Sequence, residues 1–183
     1  FEGLKPDTTV TAGRKMVGII NREPYVTPKI MRTFYISAID QAKDSIHIIN
    51  PYFTLIPKVT RALTRAIRRG VKVEIMLSAK SDIPLTPDCA FYQAHKLMKR
   101  GADVWLYQPG FHHSKVMMVD GLYCTVGGTN LDARSLKCDF EENAVIVDKE
   151  TTRELDQMFL RDKKESIHLD KKTWNEFRTP WQK

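Results

Sequence analysis

The chain has 183 residues, of which 42% are hydrophobic and 28% charged, with a formal net charge of +7. This is the composition of one folded domain large enough to bury a core, and it argues against a disordered, collagen-like or membrane-spanning chain. The three cysteines, Cys89, Cys124 and Cys138, are odd in number and show no CxxC spacing, which argues against a disulfide framework or a zinc ribbon and fits a reducing compartment.

The excess of Lys and Arg favours anionic partners, although most basic residues simply solvate helix faces. No signal peptide is visible. The chain begins Phe1-Glu2-Gly3, so it is expected to be a single domain cut from a longer parent, whose membrane segments, if any, lie elsewhere.

In chain order, residues 1–15 show no clear period and form an irregular lead-in. Val17 to Asn21 is a candidate strand. Thr27-Pro28 has the look of an N-cap and a first-turn proline, followed by Ile30, Met31, Phe34, Ala38 and Ile39 at helical spacing. Ser45 to Asn50 is a buried strand ended by Pro51.

Pro57 opens a helix with Val59, Ala62, Leu63, Ala66 and Ile67 on one face, and Gly70 ends it. Val71 to Leu77 is the next strand. Asp88 caps a helix bearing Ala94, Leu97 and Met98, which stops at Gly101, and Asp103 to Tyr107 is a third strand. Strand, helix, strand, helix, strand predicts parallel pairing with right-handed crossovers.

The pattern then changes. Lys115 to Val119 and Tyr123 to Val126 are apolar runs joined at Asp120-Gly121, a strong hairpin signal. A further strand is expected from about Phe140 to Val147 and a helix from about Glu150, with Leu155, Met158 and Phe159 on its apolar face. The tail from Trp174 to Trp181 is aromatic enough to pack against something. The fold class is therefore α/β: a mixed, mostly parallel sheet with helices on both faces.

Alternation on a strand puts His113, Lys115, Met117 and Val119 on one face. An imidazole can attack phosphorus or move a proton, and an ammonium can neutralise charge building on phosphate oxygens. Gly127 and Gly128 let a phosphate approach the backbone closely, and Asn130 adds a side-chain donor. Asp120 falls off the His113 face and in the turn, so its role is read as structural. His112 should point away from this pocket, and His47 lies in an apolar strand as a satisfied core histidine. Tyr52 and Phe53 sit just past a strand's carboxyl end and either line the pocket or belong to the core.

His113-x-Lys115, four residues, Asp120, then Gly127-Gly128-Thr129-Asn130 resembles the HKD motif of the phospholipase D superfamily. Asn50-Pro51-Tyr52-Phe53, Arg69-Gly70-Val71-Lys72-Val73, Tyr107-x-Pro109, Asn130-Leu131-Asp132-x-Arg134-Ser135 and Phe140-Glu141-Glu142-Asn143 are similar to bacterial cardiolipin synthases, over roughly residues 14 to 180. The resemblance implies a phospholipase-D-like fold and a double displacement through a phosphohistidine, without metal or other cofactor. It implies that Lys115 and Asn130 bind phosphate and that a downstream acid orients a histidine ring, with Glu142 the better match and Glu141 the alternative. Gly128 often has serine in its place in that superfamily, so a hydroxyl is missing here.

The motif occurs once. A second histidine must come from the amino-terminal HKD half of the parent chain or from a homodimer mate. By the family's order this is the second, carboxyl-terminal half, with His113 the acid/base histidine rather than the nucleophile. The implied activity joins two phosphatidylglycerols into cardiolipin at an anionic membrane surface. The parent is then associated with the bacterial membrane, this stretch is itself soluble and nearly inactive alone, and no nucleic acid partner is expected. A superfamily nuclease or phosphodiesterase acting as a homodimer is the alternative, and a decayed anion-binding module a third.

Overall fold

A computed structural model of the chain describes residues 13–83, 86–170 and 172–174. Eight strands form one sheet in the order β1-β7-β6-β5-β2-β3-β4-β8. The strands are β1 (Met16–Arg22), β2 (Ser45–Ile49), β3 (Lys72–Ser78), β4 (Asp103–Tyr107), β5 (Val116–Val119), β6 (Tyr123–Gly127), β7 (Glu141–Val147) and β8 (Ser166–Leu169). The helices are α1 (Ile30–Gln41), α2 (Pro57–Arg68), α3 (Thr86–Met98), α4 (Ala133–Lys137) and α5 (Lys149–Lys164).

The mixed sheet with helices on both faces is as expected. Its proportions differ from the expectation: only β2–β3 and β3–β4 pair parallel, and every other neighbouring pair is antiparallel. Helical crossovers dictate parallel pairing within residues 45–107, but β5, β6 and β7 follow as a meander whose short turns force antiparallel neighbours. Chain order alone does not reveal that β5 returns to lie against β2, or that β8 closes the far edge.

Period-2 alternation divides the sheet's side chains between two cores. Ile46, Ile48, Val73, Ile75, Met117 and Val119 pack under α1, α2 and α3 with Met31, Tyr35, Val59, Leu63, Ala94 and Leu97. Ile49, Met76, Val116, Met118 and Cys124 pack on the other face around Phe159 of α5.

Two helix starts differ from the sequence reading. Thr27 is not the N-cap of α1. Its hydroxyl accepts from the Glu23 amide (2.8 Å) and donates to the Asn21 carbonyl (3.1 Å), closing a turn ahead of the helix. Asp88 lies within the first turn of α3 rather than at its cap. The short α4 and β8 were not foreseen. Most of the aromatic tail lies outside the described residues, but Trp174 is buried and stacks on His95, ring centroids 4.1 Å apart.

The β2–β5 pairing joins two units that are each local in sequence, and it is fastened at both ends. At one end the Asp120 carboxylate accepts from the backbone amides of Lys43, Asp44 and Ser45 at 2.8–2.9 Å. Asp120 and Gly121 both have positive φ, 54° and 62°, as a mirror-image hairpin turn requires. At the other end buried Asn50 accepts from the Leu131 amide (3.1 Å) and donates to the Thr129 carbonyl (3.4 Å).

Beneath α5 the sheet carries charge. His47 bonds Asp156 of α5 (2.8 Å) and Glu74 of β3 (3.2 Å), and Lys163 of α5 and Lys72 also reach Glu74. Burial pulls the His47 pKa down, but its bonds to Asp156 and Glu74 prevail and hold it up at about 9. Burial pushes Glu74 up, but His47 and Lys163 hold it well below the usual carboxylate range.

A raised histidine pKa stabilises the fold fully below its ordinary 6.5, and that contribution is lost as pH rises through about 9. The depressed glutamate contributes above its ordinary 4.5 and loses that contribution as pH falls below it. Thermal stability should therefore peak between these ordinary values and decline from about pH 6.5 to about pH 9, where the His47 contribution is gone. His47→Gln should flatten the alkaline decline in melts followed by circular dichroism, and an unchanged decline would refute the latch.

Candidate active site

His113 and Lys115 lie in the loop between β4 and β5, at the end of the sheet where β2 and β6 also deliver their loops. His113 is exposed, while Lys115 is only 8% exposed. The Lys115 ammonium bonds the His113 carbonyl (2.9 Å) and stands 3.1 Å from the imidazole Nε2. A charged ammonium there can only donate, so Nε2 is the lone-pair nitrogen of a neutral ring. Burial and then the charge of Lys115 lower the His113 pKa, partly opposed by Asp82. Burial lowers the Lys115 pKa as well, against the attraction of Glu141, Asp82 and Asp132.

His113, Lys115, Gly127, Gly128 and Asn130 line one open cleft of about 510 Å³. The hairpin brings them together: Met117 lies opposite Thr125 and Val116 opposite Val126, which draws Lys115 level with Gly127. The Gly127 amide donates to the Lys115 carbonyl (3.3 Å), and the Gly128 amide to the Glu142 carbonyl (3.0 Å). Asn130 keeps its Oδ1 buried without a hydrogen-bond partner among the described residues, so the protein itself does not fix the amide's orientation.

A buried network holds the loop from behind. Asn143 Oδ1 accepts from the Thr129 amide (3.2 Å) and hydroxyl (2.7 Å), and its Nδ2 donates to Tyr35 (3.1 Å) and Thr125 (3.0 Å). Burial pushes the Tyr35 phenol far above its usual range, so it stays a neutral member of the network.

The two glutamates separate by face. Gly127 lies opposite Asn143, so Asn143 and Glu141 share the Lys115 face and Glu142 takes the other, where it is exposed. Glu142, the better match by resemblance, is therefore not brought to Lys115, and Glu141 is. The Glu141 carboxylate is bonded by Ser135 and is raised, chiefly by burial. It lies 3.1 Å from where a Cβ on Gly128 would sit, in the space a larger residue at 128 would claim.

Aromatic rings frame the imidazole. Tyr52 stands edge-on to His113 with centroids 6.0 Å apart, and Phe111 lies at 5.0 Å. Phe53 is wholly buried in the core, so the two neighbours divide the alternatives left open for them. The Tyr52 hydroxyl donates to Asp82, and burial and that carboxylate raise its pKa to about 12. Asp82 escaped the sequence reading. Its position past the carboxyl end of β3, a parallel strand, was the available signal. His112 points away, to Asp162 (3.0 Å). Asp120 belongs to the fastening at the sheet's opposite end rather than to the cleft.

Among the described residues no group of three or more His, Cys, Asp or Glu side chains is arranged to hold a metal ion, and no helix is long and apolar enough to cross a membrane. The cleft presents an ammonium, a side-chain amide and an imidazole to an anionic group such as phosphate, and the absence of side chains at Gly127 and Gly128 leaves it room to approach.

Cardiolipin synthase 1 of Staphylococcus epidermidis is 36% identical over 141 residues, covering 77% of this chain and 29% of that protein. The cardiolipin synthase of Oceanobacillus iheyensis is 33% identical over 168 residues, 92% of this chain and 35% of that one. The chain thus spans about a third of the length of the curated relatives it matches. Among solved structures, the phospholipase D family member Nuc from Salmonella typhimurium superposes with a TM-score of 0.72 at 21% identity, over 85% of this chain and 98% of that one. The phosphatidylserine synthase of Haemophilus influenzae gives 0.72 at 17% identity, over 91% of this chain and 42% of that one. At those identities the likeness establishes the fold. The family model described as cardiolipin synthase, phospholipase-D-like domain matches residues 35–163, and the chain belongs to that family, within the phospholipase D superfamily.

Proposed function

We propose that this domain supplies one of the two histidine motifs of a phosphatidyltransferase that makes cardiolipin from two phosphatidylglycerols. The observation that carries the reading is the single cleft holding His113, Lys115, Gly127, Gly128 and Asn130. Only one histidine lines it among the described residues, and a double displacement needs two. The second comes from another HKD half of a longer chain or from a second copy of this one.

In this reading the partner histidine attacks phosphorus as the glycerol oxygen leaves, and protonated His113 gives that oxygen its proton. Neutral His113 then takes the proton from a hydroxyl of the second phosphatidylglycerol. That oxygen attacks phosphorus and displaces the partner imidazole, leaving cardiolipin and glycerol. In the resting site Lys115 caps Nε2. A bound phosphate oxygen competes for the ammonium, frees Nε2 and supplies the negative charge that lets it hold a proton. Glu141 balances the charge of Lys115 from behind Gly128. The net charge of +7 suits an anionic bilayer surface.

The test is to supply the enzyme, with its second motif in place, with phosphatidylglycerol vesicles and quantify the products. Cardiolipin and free glycerol in equal amounts support the reading. Cleavage of plasmid DNA with no lipid product would replace it by a nuclease. Acid-free trapping of the phosphoenzyme should locate the phosphate on the partner histidine, and phosphate on His113 would reverse the two roles.

A further inference from the structure

Beside the phosphate cleft lies a second cavity of about 470 Å³, and Asn130 lines both. Tyr52, whose ring abuts His113, forms part of its wall. The two spaces therefore adjoin at Asn130, with the Tyr52 ring between the second and the His113 imidazole.

Their chemistry differs. The first presents Lys115, His113 and glycine backbone. The second presents Thr54, Asp132, Asp139 and Arg134 beside apolar Ile83 and Ala133. Arg134 is already spent on Asp139 (2.9 Å), which leaves Asp132 as the uncompensated charge. Asp132 Oδ1 accepts from the Ser135 amide at the start of α4 (2.7 Å), while its other oxygen and the Thr54 hydroxyl have no hydrogen-bond partner among the described residues. A cavity with surplus carboxylate repels a second phosphate and favours hydroxyl donors.

We propose that this cavity is the binding site for the small polyhydroxylated alcohol, glycerol in class, that leaves when the phosphodiester is cleaved. Asp132 and Thr54 hold its free hydroxyls while Asn130 and Tyr52 border its bond to phosphorus. The inference rests on the phosphatidyl-transfer reading and adds to it the means of choosing a glycerol headgroup.

The experiment compares kcat/KM for phosphatidylglycerol with that for bis(p-nitrophenyl) phosphate, whose leaving group carries no hydroxyl beyond the one released. Thr54→Val removes a hydroxyl. Asp132→Asn removes the charge but keeps a side chain able to cap α4. Each should lower the ratio of the two constants about tenfold, as the loss of one hydrogen bond to a charged or polar partner does.

A ratio unchanged in both variants, with phosphatidylglycerol still turned over, overturns the subsite and leaves the transferase reading standing. Damage to the fold lowers both constants together and also leaves the ratio unchanged, so Thr54→Val decides if Asp132→Asn misfolds. Wild-type enzyme that cleaves the aryl diester but no phosphatidylglycerol overturns the transferase reading and this inference with it.

Discussion

Replacing His113 by asparagine should lower phosphatidyl transfer by about a thousandfold or more without altering the melting temperature. The side chain is exposed and frames the cleft rather than the core, so its removal costs little packing. On the proposed mechanism it removes the group that protonates the leaving oxygen and deprotonates the incoming one, an effect worth roughly 10² to 10⁴ in rate. Asparagine keeps a polar side chain but cannot cycle a proton near neutral pH.

The pKa of His113 also fixes the sign of a pH effect. Burial and Lys115 hold it below its ordinary value, so the ring in the free enzyme is neutral at pH 7. On the proposed mechanism His113 acts first as an acid, so the alkaline limb of kcat/KM, which reports the free enzyme, should lie below the ordinary histidine value. Turnover and circular dichroism of the wild type and variant together check this. A variant that retains a tenth of the wild-type rate would remove His113 from the chemistry.

Gly127→Ala should destabilise the domain by about 3 kcal/mol, while Gly128→Ala should cost under about 1 kcal/mol. A Cβ on Gly127 would lie 2.3 Å from the Glu142 carbonyl oxygen, 2.5 Å from Asn143 Oδ1 and 2.6 Å from Asn143 Cα. Two of these are backbone of the paired strand, and the third belongs to the buried network that holds the loop. The backbone atoms cannot move without breaking the β6–β7 pairing, nor Asn143 Oδ1 without losing its bonds to Thr129. At Gly128 the nearest obstacle is the far end of the Glu141 side chain at 3.1 Å, which can swing aside. For a domain of this size the first change corresponds to roughly 10 °C in melting temperature. Equal shifts for the two alanines would contradict this account of the loop.

Much of this site was legible in the sequence because a hairpin is a local device. Asp120-Gly121 announces the turn, and the turn brings Lys115 level with Gly127 with no knowledge of the rest of the fold. The acid was harder. Choosing between Glu141 and Glu142 requires knowing which residue of β7 stands opposite Gly127, and resemblance favoured the neighbour on the other face. Asp82 was harder still, since it reaches Tyr52 from a loop 30 residues away.

The alternation of strands and helices predicted the parallel core correctly, but it carries no information about which later strand returns to which earlier one. That gap produced the overestimate of parallel pairing. Four-residue β8 and five-residue α4 are too short to display a period.

The join between β2 and β5 bears on how the chain acquires its cleft. Residues 45–107 can assemble from neighbouring segments, and so can the meander of residues 116–147, but their union closes a long stretch of chain. Loop closure of that kind is the slow event in folding. Tyr52 rides on one unit, while His113, Lys115 and Asn130 ride on the connection to the other and on the other itself. A refolding molecule would therefore regain most of its helix and strand before Asn50 could clasp the backbone on either side of Asn130, and the approach of the Tyr52 ring to His113 would serve as a clock for the final docking step.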